Sequence, residues 1–272
     1  MDINTIAAVC HPRTTDDVEG WQAGDAWLAG GTWLFSEPQP STDRLIDLAG
    51  LDWKFVEVSQ SGVTFAATCP IREIAHFRSP DPVWRAAPLF RASCDCFLAS
   101  FKIWNMATIG GNICMSLPAG PMISLTAALE GSCTVWPRNG APYEIPVVDF
   151  VTGNHANVLR AGDLLRSIHL PAASLRKRYA LRQQSLTKLG RSAALIIGTH
   201  GEDGAFLLTI TAATDRPVQL RFPSLPDHAS LLAALATIPE ERWFEDVHGS
   251  AAYKRHVTRH FAAEIRAELE AA

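Results

Sequence analysis

A protein that mixes sheets and helices, in a longer N-terminal part and a shorter C-terminal one, is what this sequence predicts. Three observations lead there. Short apolar segments bounded by Gly, Asn and Asp turns recur between residues 26 and 212, with the length and alternation of strands. Helix-length stretches lie between and after them, the clearest being an apolar stripe at every fourth position from Tyr253 to the end. The character then shifts at Pro171, where Leu164, Leu165, Ile168 and Leu170 give way to Arg176, Lys177 and Arg178, so a boundary is placed there.

Taken in order, Thr14-Thr15-Asp16-Asp17 reads as a helix start for residues 18–21. Residues 26–29 read as a short buried strand running into Gly30-Gly31, and 44–48 as a second apolar segment. Residues 55–58 and 63–67, joined by Gln60-Ser61-Gly62, form a hairpin. Pro70 suits the first turn of a helix running to residue 77, where its missing N–H would be unpaired anyway. A longer helix is expected over 83–98, with Trp84, Ala87, Phe90 and Ala92 on its buried side, and another over 122–129. Residues 133–136 and 145–148 are strands around the Asn139-Gly140 turn.

Past the boundary, 194–198 and 206–212 are strands separated by Glu202-Asp203-Gly204. Phe206, Leu208 and Ile210 fall on one face of the second, Leu207, Thr209 and Thr211 on the other. Residues 231–238 read as a helix, and the last helix begins at a Ser250 cap. Its buried stripe is Tyr253, Val257, Phe261, Ile265 and Leu269, with Lys254, Arg259, Glu264 and Arg266 on the surface.

The 272 residues, 47% of them hydrophobic, suffice for a sizeable core. A net charge of −4 argues against a broad nucleic-acid surface, which needs clustered Lys and Arg. No secretion signal or membrane-length apolar run is read, so a cytoplasmic protein is expected. Cys94 and Cys96 are the only close pair among six cysteines, and C-x-C alone does not supply an iron–sulfur or zinc site. No metal site is expected, and the nine histidines are scattered without forming a catalytic arrangement.

Two glycine pairs stand out as hard to explain by packing alone. Leu28-Ala29-Gly30-Gly31-Thr32 is an apolar segment ending in a tight turn, and Thr108-Ile109-Gly110-Gly111-Asn112 sits inside the run Asn105 to Gly120. Turns without a Cβ let a ligand approach the main chain, and converging N–H groups suit phosphate oxygens. The G-x-G-x-x-G fingerprint of a dinucleotide-binding βαβ unit is absent, as are G-x-x-x-x-G-K-[ST], G-x-S-x-G and H-E-x-x-H.

On these residues the chain resembles the FAD-binding subunits of the molybdenum hydroxylases, the xanthine dehydrogenase and carbon monoxide dehydrogenase family. Its two glycine runs are similar to that family's A-G-G-T and N-M-A-T-I-G-G-N loops. Leu45-Ile46-Asp47-Leu48, the segment from Asp163 to Pro171, Lys188-Leu189-Gly190-Arg191 and the run Asp246 to Arg255 resemble its later signatures. The resemblance implies an α+β fold of the vanillyl-alcohol-oxidase/PCMH type. It implies a FAD-binding domain over 1–172, with two subdomains meeting near 50–55, and a C-terminal domain over 173–272 closing over the flavin ring. Leu28, Ala29, Gly30, Gly31, Thr32, Trp33 and Leu34, with Thr108, Ile109, Gly110, Gly111 and Asn112, would hold the pyrophosphate and adjoining parts of FAD. Leu165 and Lys188 would sit near the isoalloxazine, the alternatives being ordinary core and a surface charge.

The implied role is electron transfer. A large molybdopterin-binding subunit oxidises the substrate, a [2Fe–2S] iron–sulfur subunit relays electrons, and FAD delivers them to NAD⁺ or another acceptor. Pro121, Trp104 and Trp33 stand where the family usually carries Asp, Arg and a small or acidic residue. Those departures motivate the alternative of an assembly subunit that keeps the fold without productive flavin binding.

Overall fold

The computed structural model describes residues 4–14, 17, 20–187 and 190–271. The helix expected at 18–21 depends on residues 15, 16, 18 and 19 and so lies largely outside the described residues.

Strands β1 (Ala8–Cys10), β2 (Asp25–Leu28) and β3 (Arg44–Asp47) form a small parallel sheet with β3 in the middle. A half-buried ion pair, Arg44 to Asp25, holds the ends of β2 and β3 side by side. A single 3-10 turn, Leu48–Leu51, then leads out of β3, started by the Asp47 carboxylate accepting the Ala49 N–H.

The second sheet is antiparallel and built around a strand from far along the chain. It contains β4 (Val56–Ser59) and β5 (Gly62–Ala66), which form the expected hairpin. Between β5 and the next strand come five helices: α1 (Ile71–Ala75), α2 (Pro88–Asp95), α3 (Phe101–Met106), α4 (Ile109–Met115) and α5 (Pro121–Ala128). Then follow β6 (Ser132–Trp136), β7 (Tyr143–Pro146), the single turn α6 (Val147–Phe150), the two-stranded pair β8 (Val151–Gly153) and β9 (Ala156–Asn157), and β10 (Leu164–Pro171). The sheet order β4-β5-β10-β6-β7 puts β10 at the centre. The main core lies beneath it, with Phe65, Phe90, Ile109, Met122 and Phe150 fully buried.

After α7 (Ala172–Leu175) the chain enters a third sheet, β11 (Arg178–Ser185), β12 (Ser192–His200), β13 (Phe206–Thr211) and β14 (Val218–Phe222), antiparallel in sequence order. Helices α8 (His228–Ala236) and α9 (Ala251–Ala271) cover one face. Phe206, Leu208 and Ile210 meet Ile265 and Leu269 in that core, as the alternation predicts. On the opposite face, Thr211 bonds Ser124 of α5 at 2.6 Å.

Helix α5 is buried on every side because α2 and α4 cover one flank and β12 and β13 the other. An all-round apolar helix is what such a position requires. Burial of Met122, Ile123 and Leu125 contributes roughly 1.5–3 kcal/mol each, so α5 is the principal seal between the two halves. Among the described residues no helix is long and apolar enough to cross a membrane.

Several expectations are corrected. The helix expected over 83–98 starts only at Pro88, because proline is tolerated at a first helical position and not in an interior. Trp84 and Phe90 are buried, whereas Ala87 and Ala92 are half-buried. Helices α3 and α4 went unread, the first because no residue in it is buried, the second because Gly110-Gly111 disfavours a helix. Strands β11 and β14 were hidden by their Arg and Gln residues. Lys254, placed on the surface, is fully buried: its Nζ lies 2.8 Å from Asp246 Oδ1, donates to the Ala212 carbonyl at 3.3 Å and sits 5.1 Å from the Phe244 ring centre.

Candidate functional site

The first glycine pair packs against the end of α3, the segment that leads into the second pair. A Cβ on Gly30 would lie 1.8 Å from the Met106 carbonyl oxygen and 3.2 Å from Ala107 Cα, so only glycine permits this approach. Gly31 adopts φ +68°, and a Cβ there would meet the Phe35 ring at 2.4 Å. Both positions need the missing side chain, one for contact and one for conformation.

After Gly31 the chain makes one helix-like turn. The Phe35 N–H donates to the Gly31 carbonyl and the Ser36 N–H to the Trp33 carbonyl, both at 2.9 Å. No acceptor among the described residues takes the N–H of Gly30, Gly31, Thr32, Trp33 or Leu34. Five consecutive half-buried donors without partners form the kind of concavity that main-chain amides offer to an anion. Trp33 anchors this turn, its ring 5.6 Å from that of His155 in the β8–β9 connection.

The second glycine pair is built differently. Thr108 caps α4, its Oγ1 accepting the Gly111 N–H at 3.0 Å. The Ile109 N–H donates to the Cys69 carbonyl at 3.0 Å, the Gly110 N–H to the Ala67 carbonyl at 2.9 Å and the Asn112 N–H to the Thr108 carbonyl at 3.0 Å. The expectation of bare amides at 109–112 is therefore corrected: all four already have acceptors. Asn112 is also engaged, its Oδ1 accepting the Met122 N–H at 3.0 Å and so capping α5 behind Pro121. Pro121 stands at the first position of α5, where no N–H is needed, and is buried.

A cleft of about 540 Å³ opens where the first turn meets the segment before the second. Ala29 and Gly30 line it from the first turn, Asn105, Met106 and Thr108 from the second, and Asp52, Trp53, Lys54 and Phe55 from the segment before β4. That last group was missed by sequence reasoning, although an aromatic pair spaced Trp-x-Phe between two strands was a visible signal. Neither Asp52 nor Lys54 has an ion-pair partner among the described residues.

Of the two residues expected near a flavin ring, Leu165 is 2% exposed in the main core and does not line the cleft. Lys188 lies outside the described residues. Burial pushes the thiols of Cys94, Cys96 and Cys114 up to about 12, so they stay protonated and offer no nucleophile. Among the described residues no group of three or more His, Cys, Asp or Glu could hold a metal ion.

The geometry fits FAD on two counts: a backbone-only approach at Gly30 beside unpartnered amides suits a diphosphate, and the adjoining cleft has aromatic and polar walls for the rest of a dinucleotide. Comparison with known proteins points the same way. The family model described as "FAD binding domain in molybdopterin dehydrogenase" matches residues 9–173. No curated protein sequence matches. Among solved structures, the fold is similar to a chain of reconstituted CO dehydrogenase from Oligotropha carboxidovorans (TM-score 0.81, 19% identity, covering 97% of this chain and 96% of that one). It is similar to a chain of quinoline 2-oxidoreductase from Pseudomonas putida 86 (TM-score 0.79, 16% identity, 99% and 98% covered). Carbon monoxide dehydrogenase from Hydrogenophaga pseudoflava gives a TM-score of 0.79 at 18% identity, with 96% of each chain covered.

Proposed function

The chain belongs to the family of FAD-binding domains of molybdopterin dehydrogenases, and from that premise we propose that it is the FAD-binding electron-transfer subunit of a molybdenum hydroxylase complex. Its electrons come from [2Fe–2S] clusters on an iron–sulfur partner, fed in turn by a large molybdopterin-binding subunit, and leave to NAD⁺ or another acceptor. FAD, when bound, supplies the step between one-electron and two-electron carriers. This chain's own residues hold and orient it: amides 30–34 take the diphosphate, and Thr108 with α4 braces the turn from behind. Its cysteines are dispersed and four are buried, which suits a chain whose one-electron donor resides on another polypeptide.

The carrying observation is the close approach of Gly30 to Met106 beside five unpartnered amides. The test is to purify the protein with its two partners and follow the flavin spectrum on adding the complex's substrate. Bleaching of the flavin that requires the iron–sulfur subunit is expected; a flavin-free complex that still turns over would contradict the reading.

The satisfied amides of 109–112 favour a second reading, an assembly subunit that keeps the fold with weak or no flavin binding. Stoichiometric FAD uptake by the purified chain would eliminate it.

A further inference from the structure

Resting on the FAD reading above, we propose that the far wall of the cleft is an adenosine subsite, in which Trp53, braced by Arg166, stacks the adenine and Asp52 accepts from the ribose hydroxyls. The Arg166 guanidinium lies 4.2 Å from the Trp53 ring centre and 5.4 Å from that of Trp136. The two indoles meet edge to face, 5.6 Å apart at 80°. Trp53 is thus fixed by a cation and a second ring, and it lines the cleft. A half-buried aromatic surface held in place is a platform for a flat base.

Arg166 reaches this position because β10 is irregular there, its pairing with β6 shifting between Leu165 and Ser167. The Arg166 carbonyl accepts the Ala67 N–H at 3.0 Å, and the Ala67 carbonyl accepts the Gly110 N–H. One strand therefore braces both the stacking platform and the second glycine turn.

Asp52 has φ +45°, a left-handed backbone conformation uncommon for a residue with a side chain. It is exposed and carries no ion pair among the described residues. A carboxylate in that state accepts hydrogen bonds readily, as a ribose diol requires. Among the described residues the cleft is lined by ones between Ala29 and Thr108, with none from the C-terminal half that is expected to cover the flavin ring. A redox-inactive adenosine suits that location. The same adenosine diphosphate chemistry occurs in NAD⁺, so the two sources need separate arms in the test.

The experiment titrates the flavin-free chain with FAD, FMN and ADP, reading indole fluorescence and equilibrium dialysis. Trp53→Leu is expected to weaken FAD and ADP about tenfold, the scale of base-on-aromatic stacking, and to leave FMN unchanged, while Trp53→Phe restores most of the loss. Equal losses for FAD and FMN, or no loss for either, would overturn the subsite. ADP that still binds the FAD-saturated protein through Trp53 would overturn FAD as the source of the adenosine. Wild-type protein that binds ADP through Trp53 but takes up no FAD would remove the flavin reading and keep the adenosine site; FAD binding indifferent to Trp53 would do the reverse.

Discussion

The two glycine pairs look alike in sequence and differ in what their amides do. Around Gly30-Gly31 the chain makes one turn whose five leading N–H groups have no acceptor among the described residues; around Gly110-Gly111 every N–H from Ile109 to Asn112 is bonded within the protein. A buried amide left unpaired is costly, so an uncompensated series is tolerated at the surface of a cleft and not in a core. Gly110 is fully buried against Ala67, whereas Gly30 and Gly31 are half-buried beside the cleft. Similar glycine pairs thus sit in different settings: the first leaves its amides without acceptors among the described residues, and the second packs its backbone against Ala67.

The largest effect expected from that difference is at Gly30. Gly30→Val pushes a side chain into the Met106 carbonyl, separates the turns and costs about 3 kcal/mol, at the upper end for overpacking. Flavin retention should be lost with it; a variant that melts early yet keeps stoichiometric flavin would break the distinction. Gly110→Ala places a Cβ 2.5–2.8 Å from Ala67 atoms and should cost about 2 kcal/mol by overpacking. Its flavin affinity, measured below the melting range, should stay near wild type, since no ligand-facing amide is disturbed.

Thr108→Ala removes the α4 cap and should lower stability by about 1 kcal/mol in denaturant titration. Glu130 sharpens the comparison differently, because it joins the halves without touching either turn. Burial alone would raise its carboxyl, but hydrogen bonds from Lys177 and Arg221, with Ser174, outweigh burial and hold it at about 2 instead of 4.5. A carboxyl depressed in the folded state stabilises fully above its unfolded pKa, and that contribution disappears as pH falls from about 4.5 to about 2. Glu130→Gln should flatten this acid limb in a melting series and leave flavin binding at neutral pH intact. The smallest effect is expected at Gly111, where a Cβ meets only Thr108 Oγ1 at 3.0 Å. Gly111→Ala gains helix propensity against mild crowding, so stability should stay within about 1 kcal/mol of wild type.

Much of this was legible in the sequence, and the exceptions share a cause. The strand before Gly30, the β4–β5 hairpin, α5 and the stripe of α9 all follow from local periodicity and turn residues. The approach of Gly30 to Met106 and Ala107 joins segments distant in sequence, which local pattern does not predict. What local pattern cannot carry is who accepts a hydrogen bond: the carbonyls of Ala67 and Cys69 that occupy the second turn are set by tertiary packing. The same holds for Lys254, which sits on a helix face that reads as solvent but is buried by its long-range pairing with Asp246 and the Ala212 carbonyl. The Trp53 wall escaped notice because its neighbours, Arg166 and Trp136, come from distant strands.

Residue-resolved amide hydrogen exchange, with and without FAD, probes the division of labour between the turns most directly. Gly31, Thr32, Trp33 and Leu34 should exchange quickly in the free chain and become protected on adding FAD, while Ile109 to Asn112 are protected throughout and change little. Protection gained chiefly at 109–112, with 31–34 unaffected, would contradict the account.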